Sequence, residues 1–187
     1  GAKDRAQTTL EEIIEAGGVA HSLKLDQRDP EDIENAIAHV QNEFGALDIL
    51  VNNAAWNIGI PFPELQQLTP EIWDRVLETN LRAPFLLARA AASMLKVAGG
   101  HIVNISSAGG ITPGSSSIAY SSSKAGLNHL TRCLAVAMAP DVSVNCVAPG
   151  LVEDTRMANR LPRAVSEGAK RQAILGKVGQ VEDIAEQ

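Results

Sequence analysis

A phenol, an amine and a hydroxyl lie close together near the middle of this sequence. Tyr120 is the single tyrosine of the chain, and Lys124 follows it by four residues. Residues four apart lie on one face of a helix, so these two side chains project to the same side. Ser107 precedes Tyr120 by 13 residues. This combination predicts a site that gives a proton to a substrate oxygen or takes one from it.

Such a site suits the reduction of a ketone, because hydride addition leaves negative charge on the oxygen. A phenol is a weak acid at neutral pH, with an ordinary pKa of about 10. A neighbouring cation favours the phenolate and lowers that pKa, and Lys124 is such a cation. The structural alternative is that Tyr120 and Lys124 form a solvated helix face and that Ser107 is one of many serines nearby.

The elements around these residues follow the order strand, turn, helix. Residues 101–107 are an apolar strand-like run, residues 108–117 are rich in Gly, Pro and Ser, and residues 118–138 have a helical pattern. In open α/β sheets, ligands bind beyond the carboxyl ends of the strands. This arrangement places Ser106 and Ser107 where a ligand would bind.

The rest of the chain alternates helical and strand-like segments. We predict helices over residues 4–16, from Pro30 onward, and from Pro70 past Pro84 to about residue 98. We predict further strands over residues 19–25, 47–51 and 142–147. This rhythm indicates right-handed crossovers and a parallel sheet. Residues 56–68 are predicted to be a loop, and residues 151–179 a mobile flap with helical pieces.

Composition limits the class of protein. Apolar residues make up 45% and aromatic residues 3%, so one α/β core over residues 1–187 would rest on Ala, Val, Ile and Leu. A net charge of -6 without a basic run argues against nucleic acid or an anionic membrane as partner. No membrane-length apolar run, signal peptide or metal-ligand spacing is visible. With Cys133 and Cys146 predicted as buried thiols, we expect a soluble cytoplasmic protein without a metal.

Together these motifs resemble the short-chain dehydrogenases/reductases, in particular the 3-oxoacyl-carrier-protein reductase-like branch. That family has Tyr-x-x-x-Lys with a Ser about 13 residues earlier. Asn52-Asn-Ala-Ala55, Asn80 and Pro149-Gly150 also fall in its order and spacing. The resemblance covers essentially the whole chain. It implies a Rossmann-like, doubly wound parallel sheet in three αβα layers, and hydride transfer between NAD or NADP and a small or medium alcohol or carbonyl compound.

The resemblance also implies a role for each candidate residue. Tyr120 would be the general acid/base, and Ser107 would hydrogen-bond the substrate oxygen. Lys124 would hold the nicotinamide ribose while tuning Tyr120. Asn80 would bind a water that links Lys124 to solvent, or else satisfy a local backbone carbonyl as an ordinary helix Asn. Further cofactor contacts would come from Asp26, Gln27, Asn53, Ala54, Ala55, Pro149, Gly150, Val152 and Thr155.

Three of these cofactor positions carry a qualification. Asp26 would hydrogen-bond the adenine amino group, or alternatively cap the turn that follows it. Ala55 stands where the family usually has Gly, and its Cβ crowds a close approach of backbone and cofactor. The loop from Pro149 to Thr155 has one residue more than the commonest family pattern.

The family's Thr-Gly-x-x-x-Gly-x-Gly turn is absent from this sequence, which we interpret as an internal fragment incomplete at both ends. The family's sheet order is 3-2-1-4-5-6-7, so the missing first strand would be the central one. NAD and NADP are distinguished at the end of the second strand. Lys3 and Arg5 lie just past that point, where a basic group suits a 2′-phosphate and favours NADP. Both equally fit a solvated first helical turn.

Two other classes of function compete with a dehydrogenase. A serine hydrolase is disfavoured, because the sequence has no Gly-x-Ser-x-Gly elbow. A non-catalytic nucleotide-binding or regulatory member of the same fold is the remaining alternative. Residues 81–98 and 119–138 have wide apolar helical faces that need cover on a second side. In this family a second subunit supplies it, so we expect a homodimer or homotetramer; loops of the same chain are the alternative.

Overall fold

A three-stranded parallel sheet forms the centre of an α/β fold. The computed structural model describes residues 2–155, 157–160 and 163–187. Its strands lie in the order β1-β2-β3, with bounds Ile49–Asn52, His101–Ile105 and Ser143–Val147. The register sets Leu50 beside Ile102, and Ile102 beside Val144. Helices connect successive strands, as the alternating sequence pattern predicts.

Seven α-helices accompany the sheet in the described residues. In chain order, α1 to α7 are Ala2–Glu15, Pro30–Phe44, Pro70–Leu77, Ala83–Ala98, Ile118–Met138, Arg163–Gln172 and Val181–Ala185. One π-helical turn, Glu78–Arg82, joins α3 to α4. Short 3₁₀ turns occur at Leu65–Gln67, Ala108–Gly110 and Ala158–Arg160.

Local sequence signals explain where these helices begin and end. The Asp29 side chain accepts a hydrogen bond from the Glu31 N–H, and Pro30 occupies the first turn of α2. Gly45 ends that helix in the left-handed region, with φ of 72°. Thr69 caps α3 in the same way as Asp29 caps α2. The predicted helix starts at Pro30 and Pro70 are therefore confirmed.

The core lies on one face of the sheet, beneath α2, α4 and α5. Leu50, Ile102 and Val144 occupy that face, in adjacent positions on the three strands. They pack against a buried cluster of α4 and α5 residues, which comprises Ala88, Ala91, Leu95, Leu134 and Met138. Helix α2 joins this layer, because Ile33 packs with Leu86 and Leu87 of α4. On the opposite face, the alternate residues Ile49 and Val51 are more than half exposed.

The prediction of a strand over residues 19–25 is wrong. The segment alternates apolar and polar residues, but Val19, Leu23 and Leu25 are exposed. Among the described residues, no strand lies beside this segment to exchange backbone hydrogen bonds with it. A strand requires such a ladder, so alternation alone does not form one. The segment instead touches α2, where His21 packs on Phe44 with ring centroids 5.0 Å apart.

Other bounds differ from prediction by one or two residues. Strand β1 covers 49–52 rather than 47–51, and β3 begins at Ser143. Strand β2 ends at Ile105, two residues early, although Ser106 still donates its N–H to the Val147 carbonyl. Cys133 is exposed rather than buried, since its neighbour Leu134 is the one turned to the core. No helix in the described part of the chain is long and apolar enough to cross a membrane.

Leu95 provides a direct test of where the core lies. Its side chain is fully buried in the cluster between α4 and the sheet, whereas Val97 on the same helix is 92% exposed. We expect Leu95→Ala to lower the free energy of unfolding by about 2–5 kcal/mol, because it leaves a cavity. Val19→Ala, at a position that is 77% exposed, should change it by less than about 0.5 kcal/mol. Urea unfolding of both variants measures this, and equal effects would contradict the assigned core.

Candidate active site

The carboxyl ends of the three strands meet at one edge of the sheet. Backbone pairing continues beyond β2 and β3, because Ser106 N–H donates to Val147 O and Ala108 N–H donates to Pro149 O, both at 2.7 Å. Ser107 and the Pro149-Gly150 turn are therefore held at the same edge. Asn53 follows β1 directly and lies at that edge as well.

Helix α5 brings Tyr120 and Lys124 to this edge. Ser117 is the N-cap of α5, and its Oγ accepts a hydrogen bond from the Tyr120 N–H at 3.2 Å. Tyr120 is 6% exposed and Lys124 is 3% exposed. The Lys124 Nζ lies 5.7 Å from the centroid of the Tyr120 ring, so the two side chains share a helix face as the spacing predicts. Nζ also donates to the Ile105 carbonyl at the end of β2, at 2.7 Å.

Burial sets the charge state of these groups. It raises the pKa of the Tyr120 phenol above its ordinary value, and a hydrogen bond with the Ser107 side chain acts in the opposite direction. Burial also lowers the pKa of Lys124 to about 8, partly offset by the nearby Cys146. The sequence had suggested that Lys124 lowers the phenol pKa. In the structure, loss of water around Tyr120 is the largest influence, because removing water disfavours the charged phenolate.

The turn after β2 rests directly on the backbone of α5. Ser106 Oγ donates to the Lys124 carbonyl at 3.1 Å. A Cβ on Gly110 would stand 2.6 Å from the Lys124 carbonyl carbon, so only glycine permits this approach. Ser107 lies between these two contacts. Its position relative to Tyr120 is therefore set by backbone packing as well as by side chains.

Asn80 links two distant segments to α5. It lies in the π-helical turn and is buried. Its Oδ1 accepts from Trp56 N–H at 2.8 Å, and its Nδ2 donates to Trp56 O at 3.0 Å and to Ser123 Oγ at 3.2 Å. The carbonyl that Asn80 satisfies is 24 residues away in sequence. Asn80 is therefore not an ordinary helix Asn bonded to a local backbone carbonyl. Both Nδ2 protons are used, and a water at this side chain would bind the second lone pair of Oδ1.

Asp26 and Gln27 have partners within the protein. The Asp26 carboxylate accepts from Arg28 N–H and Nε at 3.0 Å and from Arg28 Nη2 at 2.7 Å. These bonds lower the pKa of Asp26 to about 2, with the Arg28 side chain as the largest cause. The bond from the Arg28 N–H matches the alternative in which Asp26 caps the turn that follows it. Gln27 Nε2 donates to the carbonyls of Ala54 at 3.2 Å and Thr79 at 3.0 Å, and thereby braces the segment after β1.

The other predicted cofactor residues lie along the strand ends. Asn53 and Ala54 are exposed, and Ala55 is half-buried. No atom lies within 4 Å of a Cβ built on Gly150. Val152 pairs with Gly179, and the Thr155 hydroxyl accepts from Ala158 N–H while donating to Val152 O. Thr155 therefore caps a short turn in its own loop.

A nicotinamide nucleotide fits the open part of this edge. Asn53, Ala54 and Gly150 leave space there, and two Lys124 protons are not used by Ile105. Beside them, the buried Oδ1 of Asn52 has no hydrogen-bond partner in the described structure, although Asn52 Nδ2 donates to Asn104 Oδ1 at 2.8 Å. These residues suit the nicotinamide ribose and carboxamide, which carry donors and acceptors.

Two surface cavities lie away from these residues. One of about 230 Å³ is bounded by α3 and the π-helical turn, and one of about 540 Å³ lies between α2 and α4. Neither is lined by a predicted site residue. The buried phenol and amine, both with shifted pKa values, make the strand ends the candidate site.

Sequence reasoning missed three residues that shape the site. Ser117 could have been found, because a Ser directly before a helical pattern is a typical N-cap. Asn57 and Ser116 carry no such signal, and only the folded chain brings them together: their side chains hydrogen-bond at 2.5 Å.

Comparison with known proteins agrees with this geometry. The family model described as short chain dehydrogenase matches residues 1–166. A 3-oxoacyl-[acyl-carrier-protein] reductase of Aquifex aeolicus is 37% identical over 185 residues, which cover 97% of this chain and 73% of that protein. The human dehydrogenase/reductase SDR family member 4 is 35% identical over 189 residues, covering 97% of this chain and 65% of that protein.

Solved structures show the same relationship. A dehydrogenase/reductase from Sinorhizobium meliloti superposes with a TM-score of 0.89 at 37% identity, covering 100% of this chain and 72% of the other. These relatives are all longer than the present chain. The protein belongs to the short-chain dehydrogenase family, a family of oxidoreductases.

Lys124 gives a prediction for stability against pH. Its pKa is about 8 in the folded protein and 10.5 ordinarily, so between these values the unfolded chain binds more protons. The free energy of unfolding should therefore rise with pH over that range, on the order of 2 kcal/mol from about pH 8 to about pH 10. Lys124→Met should lack this rise. Urea unfolding of both proteins across this pH range tests the prediction. Parallel plots of unfolding free energy against pH would contradict the burial of the Lys124 ammonium.

Proposed function

We propose that this protein catalyses reversible hydride transfer between a nicotinamide dinucleotide and an alcohol or carbonyl compound. The observation that supports the proposal is the meeting of the buried Tyr120 and Lys124 side chains with the half-buried Ser107 at the strand ends. The nucleotide, when bound, supplies or accepts the hydride. The protein's own residues must then manage the proton on the substrate oxygen.

Tyr120 is proposed as the general acid and base. Its pKa is raised by burial, so the phenol is protonated at neutral pH and can donate to an oxygen that becomes negative during reduction. In the oxidation direction the same group must first lose its proton. Ser107 Oγ accepts from Gly109 N–H at 3.1 Å, which leaves its own proton for the substrate oxygen or for Tyr120.

Lys124 is proposed to hold the ribose and to tune Tyr120. With a pKa of about 8 it is mostly an ammonium at neutral pH. One of its three protons binds the Ile105 carbonyl, and the other two are directed to ribose hydroxyls and solvent. Its charge, close to the Tyr120 ring, favours the phenolate when the alcohol is oxidised. Asn80 is proposed to support the proton path by a water on its Oδ1.

The proposed substrate is a small or medium carbonyl compound. The segment after β1 includes Trp56, whose ring is covered by the Arg75 guanidinium at 4.3 Å, and the buried Ile60. These two large side chains in the segment favour a compact substrate. The Aquifex relative is named as a reductase of 3-oxoacyl groups, which supports a carbonyl substrate here.

We also propose that the protein forms a homodimer or homotetramer. Phe85 and Val97 on α4 and Val136 on α5 are exposed, at 43%, 92% and 82%. The inner sides of both helices already cover the sheet. A second subunit on their outer sides would remove these apolar groups from water, which favours association.

Replacement of one oxygen atom tests the catalytic role. Tyr120→Phe keeps the ring and removes the acid, so turnover should fall by about a hundredfold or more. Binding of NADPH or NADH should persist, because the variant retains Lys124. Asn35→Ala, at an exposed position of α2, is the control and should retain full turnover. Steady-state kinetics and fluorescence titration measure both properties. Unchanged turnover in Tyr120→Phe would overturn the proposal. Nucleotide binding by the wild-type protein without any turnover would indicate a regulatory protein.

The proposed nucleotide is NADP, on the basis of Lys3 and Arg5. Their side chains lie outside the part of the chain that the structure describes, so the argument rests on their charge and position in sequence. A 2′-phosphate carries charge that either basic group would neutralise. The catalytic efficiency should therefore be higher with NADPH than with NADH. Lys3→Ala/Arg5→Ala should reduce that ratio about tenfold or more, since each charge-assisted contact contributes about 1.5–3 kcal/mol. A preference for NADH that the double change leaves unaltered would show that this assignment is wrong.

A further inference from the structure

The three serines before α5 hold the first turn of that helix. Ser117 is fully buried, and its Oγ accepts from the Tyr120 N–H at 3.2 Å. Ser115 Oγ and Ser121 Oγ are hydrogen-bonded at 2.6 Å. Tyr120 lies within this first turn, so the position of its phenol follows the position of residues 115–117, which we call the serine turn.

A second segment holds the middle of the serine turn. Asn57 Nδ2 donates to Ser116 Oγ at 2.5 Å, and the Ile60 N–H donates to the Ser116 carbonyl at 2.9 Å. That segment is itself fixed, because Asn80 bonds both polar backbone groups of Trp56. A continuous set of hydrogen bonds therefore runs from the π-helical turn, through Asn57, to the serine turn.

The serine turn also touches the residues that follow Ser107. A Cβ on Gly109 would stand 2.6 Å from the Ser115 Cβ, so Gly109 packs against the Ser115 side chain without space for a side chain of its own. The Gly109 N–H donates to Ser107 Oγ at 3.1 Å. The serine turn therefore lies between Ser107 and Tyr120 and contacts the segments that carry both.

The presence of an amide at position 57 is explained by its bond to Ser116 rather than by a contribution to the stability of the fold. Its Oδ1 is buried without a hydrogen-bond partner in the described structure, so its only described side-chain bond is the one to Ser116. A buried amide oxygen without a partner is unfavourable. An apolar side chain in the same place would avoid this, but it would not hold Ser116.

We propose that Asn57 is a positioning residue, which holds Ser116 so that the Tyr120 phenol stays against the Ser107 hydroxyl. Its effect on turnover rests on the proposed function. Its effect on the geometry of Tyr120 does not. A displacement of about 1 Å at a reacting group reduces turnover by about a hundredfold. Loss of the Asn57–Ser116 hydrogen bond would therefore lower turnover even though Asn57 does not touch the reacting groups.

The single tyrosine makes the geometry measurable without activity. The ultraviolet absorbance of tyrosinate, and the ring-carbon NMR shift at neutral pH, report on Tyr120 alone. Its hydrogen bond with Ser107 lowers the phenol pKa, so losing that bond should raise it. We expect Asn57→Ala and Ser116→Ala to raise the phenol pKa, in the same direction as the change expected for Ser107→Ala. The double variant Asn57→Ala/Ser107→Ala should show no more than the effect of Ser107→Ala.

Kinetics and a conservative variant complete the test. Turnover of Asn57→Ala should fall about tenfold to a hundredfold, with the KM for the nucleotide within about twofold. Asn57→Asp should recover most of it, because a carboxylate oxygen accepts a bond from the Ser116 hydroxyl. Ile58→Ala, an exposed neighbour, is the control and should match the wild type. Circular dichroism measured across the pH range verifies that each variant remains folded.

The outcomes separate the two proposals. An unchanged phenol pKa and ring-carbon shift in Asn57→Ala would overturn the positioning role, whatever the turnover. Additive effects of Asn57→Ala and Ser107→Ala would also overturn it, since residues that act through one bond are not additive. If the pKa pattern holds but the wild type turns over no carbonyl compound, the positioning role stands and the proposed hydride transfer fails.

Discussion

The contact between the turn after β2 and the backbone of α5 is the constraint on which the site depends. Gly110 approaches the Lys124 carbonyl as closely as a residue without a side chain can, and Ser106 hydrogen-bonds the same carbonyl. Through this contact the strand end that carries Ser107 and the helix that carries Tyr120 form one rigid unit. The sheet then adds the Pro149-Gly150 turn by pairing beyond β3. The segments that carry Ser107 and Tyr120 are thus placed by backbone packing as well as by side-chain bonds.

Burial of this unit shifts the pKa values of its two titrating groups in opposite directions, upward for Tyr120 and downward for Lys124. It favours the neutral phenol of Tyr120 and the neutral amine of Lys124, and the Ser107 hydroxyl and Cys146, respectively, partly compensate. A site with little water around an amine and a phenol can change protonation with small changes of surroundings. Exclusion of water also lowers the free energy of unfolding, because the Lys124 ammonium is kept from water at neutral pH. Such a local loss of stability is expected at a functional site.

Local signals predicted the elements that form locally. Helix α5 begins and ends at the predicted residues, and the spacing of Tyr120 and Lys124 translates directly into a shared face. Residues 19–25 were predicted wrongly, since alternation does not reveal whether a neighbouring strand exists. The partners of Asn80 and Asn57 lie 24 and 59 residues away, so no sequence window contains them. The resemblance to a family supplied the candidate roles, but the contacts of Asp26 and Gln27 depend on an arginine and on two carbonyls whose placement only the fold decides.

The register of the parallel sheet has a consequence for how the chain folds. Ile49 pairs with His101, and His101 pairs with Ser143, so the paired residues are 52 and 42 positions apart in sequence. Loops of that length must close before the sheet forms, which makes such topologies slow to fold. Helix α5 needs only its own residues and its serine cap, so it can form earlier. A chain stopped before β2 docks would thus carry Tyr120 in water and apart from Ser107, and the two would come together only with the long-range pairing of the strands.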